Sequence, residues 1–362
     1  MSDRRPARLS ALRDSLHRAS LDALLVTSLP NVRYLTGFSG TSALLLVAPA
    51  DALLLTDFRY ATQVAEEVGD LARVSVQPQS LWSGLWSTLP TMAGVTTIGF
   101  ESATLVHRDF QRLLEQGKRW QWRPVSELVE RLREVKDPGE VSSIAAAAQL
   151  AVAALESTLP QLRAGLTELG VAGILERELR KQGSEGFPFP TIVASGPRSA
   201  LPHAGTSTRE LSRGDMLLMD FGAILDGYCA DVTRTCCVGR SSERQRELHS
   251  IVVEANERAR AGIRPGMTGR DADALARDYI DLRGHGPLFG HSLGHGLGLE
   301  VHEAPRLART ASSVLREGVV VTIEPGIYVP DWGGIRVEDD VLLESEGARL
   351  LTNFTRELLE LN

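Results

Sequence analysis

The sequence predicts two domains of different class, an α/β domain first and an α+β domain after it. Three observations carry that prediction. At 362 residues the chain is long for one core, since domains commonly run to about 100–200 residues. Short apolar runs alternate with helical patterns through the first third, as in α/β layers. The turn-rich Lys136-Asp137-Pro138-Gly139 then separates this third from a stretch of long helices with strands among and after them. The expected division is 1–134 for the α/β domain, 135–139 for a linker and 140–362 for the α+β domain.

The elements follow in order. Arg4–Arg18 reads as a solvated amphipathic helix, and Leu21–Thr27, Ala43–Val47 and Ala52–Thr56 read as buried strands. Asn31–Gly40 (NVRYLTGFSG) reads as a glycine-containing connection of the kind that carries function. Tyr60–Val68 is a short helix, Thr97–Phe100 a strand and His107–Glu115 a helix. Beyond the turn, Glu140–Leu159 is alanine-rich and helical, and Thr167–Gln182 is a helix capped by Thr167. Helices are expected near Ser242–Gly262 and Gly269–Gly284, with strands at Met216–Ala223, Tyr228–Val238, Val319–Ile323 and Ile335–Leu343. Together these predict helices covering one face of a curved, mostly antiparallel sheet.

Composition narrows the function. Hydrophobic residues make up 43% and charged residues 23%, an ordinary globular balance. The formal net charge of -7 and the lack of a Lys/Arg run argue against a nucleic-acid partner. No stretch approaches the ~20 apolar residues of a membrane span, and the charged N-terminus lacks the apolar region of a secretory signal. Cys229, Cys236 and Cys237 are odd in number and bunched together, which points to a reducing compartment; a cytoplasmic protein is expected. Adjacent Cys236 and Cys237 would point to opposite faces of a strand and make a poor metal pair.

Five motifs carry the chemistry. Asp220 and Asp231 sit in apolar strand patterns, where an unpaired carboxylate is costly to bury. A hairpin turning at residues 225–226 would set them opposite each other on one face, where they repel unless a proton or a cation lies between. In His291-Ser-Leu-Gly-His295-Gly-Leu-Gly-Leu-Glu-Val-His302, Gly294, Gly296 and Gly298 argue for an extended or looped segment. Each glycine costs about 1 kcal/mol in a helix interior, so a zinc-binding helix is disfavoured. Glu324 ends an apolar run before Pro325-Gly326, and Glu338 lies in a strand pattern with Arg336 and Asp339. Each carboxylate alone would more often be solvated. As a set, four carboxylates and one imidazole suit two divalent ions such as Mn²⁺, Co²⁺ or Zn²⁺.

These motifs resemble the metallopeptidases of the pita-bread fold, and within them the Xaa-Pro aminopeptidases and Xaa-Pro dipeptidases (prolidases). The matching stretches are IVASGPRSALPHAGTS, MDFGAILDGYCADVTRT, GHSLGHGLGLEVHEAP, TIEPGIYVP and GGIRVEDD, and NVRYLTGFSG with LTDFRY is similar to the creatinase-type N-terminal domain. The resemblance implies a creatinase-type α/β domain before a pita-bread catalytic domain. It implies metal ligands Asp220, Asp231, His295, Glu324 and Glu338, with Glu324 also the general base. It implies that His203 stabilises the tetrahedral intermediate, that His291 and His302 line the pocket on the proline side, and that Tyr328 and Arg336 support the site. His203, His302 and Glu324 are thus the expected catalytic residues; His203, His291, His302, Tyr328 and Arg336 are the expected substrate contacts. The expected reaction is release of the N-terminal residue from peptides with proline second, the alternative being a prolidase restricted to dipeptides. A non-catalytic binding module of the same fold is the non-enzyme alternative, disfavoured because all five ligand positions are filled. Two divalent ions per chain, peptide substrates, no membrane partner and a homodimer complete the expectation.

Overall fold

Six strands form the sheet of the first unit in the computed structural model, which describes residues 3–362; the chain divides into two units between Arg133 and Glu134. They are β1 (Ala23–Val26), β2 (Ala43–Val47), β3 (Ala52–Asp57), β4 (Arg73–Gln77), β5 (Thr97–Glu101) and β6 (Gln121–Val125). Their order is β4-β3-β2-β1-β5-β6, with β1–β2–β3 antiparallel and the outer pairs parallel. Around it lie α1 (Arg5–Arg18), α2 (Leu29–Thr36), α3 (Ala61–Val68), α4 (Leu81–Thr88), α5 (His107–Gln116) and α6 (Glu130–Arg133). Two expectations need correction. α1 is not simply solvated, because Leu9, Leu12 and Leu16 recur at helical spacing and are buried. Most of Asn31–Gly40 is not a connection but α2, which has proline in its first turn and ends at Gly37 with φ 82°.

The second unit opens with α7 (Pro138–Thr158) and α8 (Glu168–Gln182) and later adds α9 (Glu243–Gly262) and α10 (Gly269–Leu282). The tetrapeptide at 136–139 starts α7: Asp137 accepts from the Gly139 and Glu140 amides, and Glu140 reaches back to the Asp137 amide. Side chains of Thr167, Ser242 and Thr268 cap α8, α9 and α10. By length and composition the helical stretch Pro138–Gln161 could cross a membrane, contrary to the hydropathy expectation. Here Ile144, Ala147, Ala148, Ala151 and Leu155 are buried in the unit's own core.

Two sheets replace the single sheet expected. One holds β7 (Ile192–Ser195), β8 (Met216–Phe221), β11 (Val232–Val238) and β19 (Glu360–Leu361), in the order β19-β11-β8-β7. Between β8 and β11 lies the small hairpin β9 (Ile224–Leu225) and β10 (Tyr228–Cys229). The other holds β12 (Gly294–Gly296), β13 (Glu303–Leu307), β14 (Val320–Ile323), β17 (Asp339–Glu344) and β18 (Gly347–Leu350), in the order β13-β12-β14-β17-β18. A further hairpin pairs β15 (Gly326–Val329) with β16 (Gly333–Arg336). All pairs are antiparallel except β11 with β19. α7 and α8 share one core with the first sheet through Leu155, Leu175, Leu217 and Val232. α9 and α10 share another with the second through Val252, Ala276, Val321 and Val341.

The strands expected over Tyr228–Val238 and Ile335–Leu343 are each interrupted, the first at Ala230-Asp231 and the second at Val337-Glu338. At both breaks the backbone changes partner: the Asp231 amide donates to Asp340 Oδ2 (3.1 Å) and the Glu338 amide to the Thr233 carbonyl (3.1 Å).

Candidate metal centre

The β8–β11 ladder sets the first two carboxylates. Asp220 pairs with Thr233, not Asp231, so the expected direct opposition is wrong by two residues. The reason is the turn: Asp226 (φ 50°) and Gly227 (φ 74°) form the two-residue loop between Leu225 and Tyr228, one position later than expected. Since side chains alternate along a strand, Asp231 and Thr233 still share a face, and the carboxylates are diagonal rather than direct neighbours. His295 comes from β12, in a segment that is extended as the glycines required. A Cβ at Gly294 would lie 2.0 Å from the Thr322 carbonyl, and one at Gly296 2.1 Å from the Ala304 carbonyl. Only glycine lets β12 pack this closely on its neighbours. Glu324 follows β14, and Glu338 sits in the break between β16 and β17.

These elements bring the five residues together. One ligand atom each of Asp231, His295 and Glu338 lies within 4.8 Å of the others. His295 Nε2 is 3.7 Å from Asp231 and 3.6 Å from Glu324. Asp220 joins through Arg336, whose Nη2 is 2.5 Å from Asp220 Oδ2. Asp220, Asp231, His295 and Glu338 are buried and Glu324 is partly so.

Electrostatics say what the cluster lacks. Burial first, then repulsion from Glu338, pushes the Asp231 carboxyl well above the usual range, and the same two causes act on Glu324. Burial and the Asp220 charge push Glu338 up to about 8. Asp220 Oδ1 and Asp231 Oδ1 are buried without a hydrogen-bond partner. Buried acceptors of this kind need a proton or a cation, and an all-carboxylate-and-imidazole donor set fits divalent metal. Burial also lowers His295 to about 4, leaving its ring neutral near pH 7 and free to offer a lone pair. His295 Nδ1 lies 3.0 Å from the Gly296 carbonyl, which leaves Nε2 facing the carboxylates.

The remaining expected residues surround this core. His291 Nε2 lies 2.8 Å from the Tyr328 hydroxyl, and Arg336 Nη1 donates to the same hydroxyl at 2.8 Å. Arg336 Nη1 also reaches the Pro202 carbonyl (3.2 Å), which ties the segment bearing His203 to the site. His302 packs edge-on to His295 with ring centroids 4.4 Å apart, and both His203 and His302 are exposed.

Sequence reasoning missed three supporting residues. Thr233, fully buried, donates from Oγ1 to Glu338 Oε2 (2.5 Å) and accepts from Arg336 Nε (3.1 Å). Thr322 Oγ1 accepts from the His295 amide (3.1 Å) and lies 3.4 Å from Glu324 Oε1. Asp340 holds the Asp231 amide. Thr233 had a usable signal, lying two residues from Asp231 on the same face.

Residues 142–345 match the family described as Metallopeptidase family M24, and residues 8–135 match the Creatinase/Prolidase N-terminal domain. A Xaa-Pro dipeptidase of Pyrococcus horikoshii is 35% identical over 346 residues, covering 95% of this chain and 96% of that protein. Among solved structures, a Xaa-Pro dipeptidase from Bacillus anthracis superimposes with a TM-score of 0.95 at 40% identity, covering 99% of this chain and 100% of that one. An X-Pro aminopeptidase from Thermotoga maritima superimposes with a TM-score of 0.91 at 38% identity, covering 98% and 99%.

Proposed function

We propose, for a chain that belongs to metallopeptidase family M24, that it cleaves the Xaa-Pro bond of dipeptides in a reaction dependent on two divalent metal ions. Its two units are the creatinase-type and pita-bread domains that the motifs anticipated. Dipeptide specificity replaces the aminopeptidase expectation as the main reading, because relatives named Xaa-Pro dipeptidase or prolidase support it better. The X-Pro aminopeptidase neighbour keeps longer peptides as the second reading.

The observation that carries the proposal is the buried set of Asp231, His295 and Glu338 with ligand atoms within 4.8 Å, beside two carboxylate oxygens without partners. Asp220, Asp231, His295, Glu324 and Glu338 would hold the metal. When bound, the ions supply an activated water at neutral pH and polarise the scissile carbonyl. Charge favours divalent cations: the carboxylates of Asp220, Asp231, Glu324 and Glu338 outnumber the guanidinium of Arg336, an excess of negative charge that such ions would balance.

The protein's own groups do the rest. Glu324, partly buried and 3.6 Å from His295 Nε2, takes the proton of the attacking water. His203, exposed beside the cluster, donates to the oxygen that gains negative charge. Burial holds His291 at about 4, so its ring presents a neutral wall to the proline side, and Tyr328 fixes its orientation. His302 forms the other wall. A tertiary Xaa-Pro amide has no N–H, so recognition must come from such surfaces rather than from a backbone acceptor.

Cleavage of Ala-Pro and Ala-Pro-Ala, measured side by side with Mn²⁺ and then with chelator, tests the proposal. Hydrolysis of the dipeptide alone, lost on chelation, is the expected result. Equal cleavage of the tripeptide would shift the assignment to an aminopeptidase, and hydrolysis that survives exhaustive chelation would overturn the metal centre.

A further inference from the structure

His203 sits on the excursion between β7 and β8, an exposed stretch without regular structure after its first turn. An exposed loop is a poor place for a group that must meet a developing charge within a few tenths of an ångström. Something must hold it, and one fully buried carboxylate grips both of its ends. Glu168, the first residue of α8, has a relative exposure of 0%. Its Oε1 accepts from the Ser195 amide (2.8 Å) and the Ser195 hydroxyl (2.9 Å) where the excursion begins. Its Oε2 accepts from the Ser207 amide (3.1 Å) and the Ser207 hydroxyl (2.6 Å) where it returns, and also from Nε of Arg198 (3.1 Å) in its first turn.

The clasp is reinforced on both sides. The Glu168 amide donates to the Arg209 carbonyl (2.9 Å) and the Leu169 amide to the Ser207 carbonyl (3.0 Å), so the start of α8 is stitched to the returning chain. Arg198, fixed by Glu168, donates through Nη2 to the Gly205 carbonyl, across His203. Ser199 Oγ accepts from the Gly334 amide (2.8 Å), joining the excursion to β16, which carries Arg336.

From this arrangement we infer that Glu168 is a positioning residue for His203, clamping both ends of the segment that presents it. The inference rests on the reading of His203 as donor to the oxyanion. It needs a carboxylate and not merely a polar side chain. All five partners donate, and the amide of a glutamine can offer an acceptor to only one end. Whichever way it turns, its –NH₂ faces donors at the other.

Glu168→Gln, His203→Ala and their combination in the Mn²⁺-loaded enzyme test this with Ala-Pro as substrate. Glu168→Gln is expected to lower kcat on the order of ten- to a hundredfold, the scale set by ångström misplacement of a reacting group, with KM within about threefold. Bound Mn²⁺ should equal the parent's, and amide hydrogen exchange should quicken between Ser195 and Ser207 alone. On the His203→Ala background, Glu168→Gln should change kcat by less than about twofold, because residues acting as a unit are non-additive. Losses that multiply would overturn the clamp while leaving the role of His203 intact. A His203→Ala enzyme with parental kcat would overturn both. If Glu168→Gln fails to fold, Ser207→Ala, which removes the 2.6 Å hydroxyl contact at the returning end alone, must show the same non-additivity.

Discussion

Replacing Thr233 by valine changes one buried hydroxyl to a methyl group of the same shape, and the structure sets what should follow. The hydroxyl donates to Glu338 Oε2 and accepts from Arg336 Nε, both ionisable and both buried. Hydrogen bonds to charged groups contribute about 1.5–3 kcal/mol each. Arg336 keeps Asp220, Tyr328 and Pro202, so the second loss is partial and about 2–4 kcal/mol is expected in all. At about 2–4 °C per kcal/mol for a unit of this size, Tm should fall by about 4–16 °C in scanning calorimetry. Glu338 would also lose its rotamer restraint, and removing such a partner of a metal-binding carboxylate weakens metal affinity about 10–100-fold. Mn²⁺ titration by calorimetry measures this directly, with Thr233→Ser as the control that keeps the hydroxyl. Parental Mn²⁺ affinity in Thr233→Val would refute the claim that this hydroxyl sets the Glu338 carboxylate.

Further outcomes follow from the same contacts. Asp231→Ala and Glu338→Ala should each lose activity together with bound metal, measured by elemental analysis, whereas His203→Ala should keep metal and lose most of kcat. Lys136 Nζ meets Glu303 Oε2 at 2.9 Å with both side chains nearly inaccessible, so Lys136→Met should cost about 3–5 kcal/mol by denaturant unfolding. Burial lowers His249 to about 4. Its neutral ring therefore supports the fold fully above the unfolded value near 6.5, and that support is lost as pH falls from there towards 4, by about 1.4 kcal/mol per pH unit. His249→Gln should flatten the stability curve between pH 6.5 and 5; an unchanged slope would mean that this histidine does not titrate on unfolding. Chelation of metal present at a hundred times its Kd should remove about 2.7 kcal/mol of stability.

The candidate ligands were more legible in the sequence than the scaffold that gathers them, for a physical reason. Carboxylates and imidazoles are the side chains that suit hard or borderline divalent ions, and Asp220, Asp231, His295, Glu324 and Glu338 stand out because such groups are out of place beside apolar runs. In the first unit the strands that escaped notice, β4 (RVSVQ) and β6 (QWRPV), are the two edges of the sheet and mostly unburied, so no apolar run marks them. Pro124 in β6 is tolerated for the same reason. The register of β8 on β11 turned on one step in the position of a tight turn, a difference that propagates to every pair beyond it. Glu168 was invisible for a further reason. Its partners Ser195, Arg198 and Ser207 lie 27 to 39 residues away, and at the start of a helix a glutamate already has a local explanation in the helix dipole. A residue that supplies only an acceptor at the right place can come from anywhere the fold brings near. Its identity therefore carries no pattern until the chain is folded, and supporting residues such as Thr233 and Glu168 are found by tracing hydrogen bonds outward from the site.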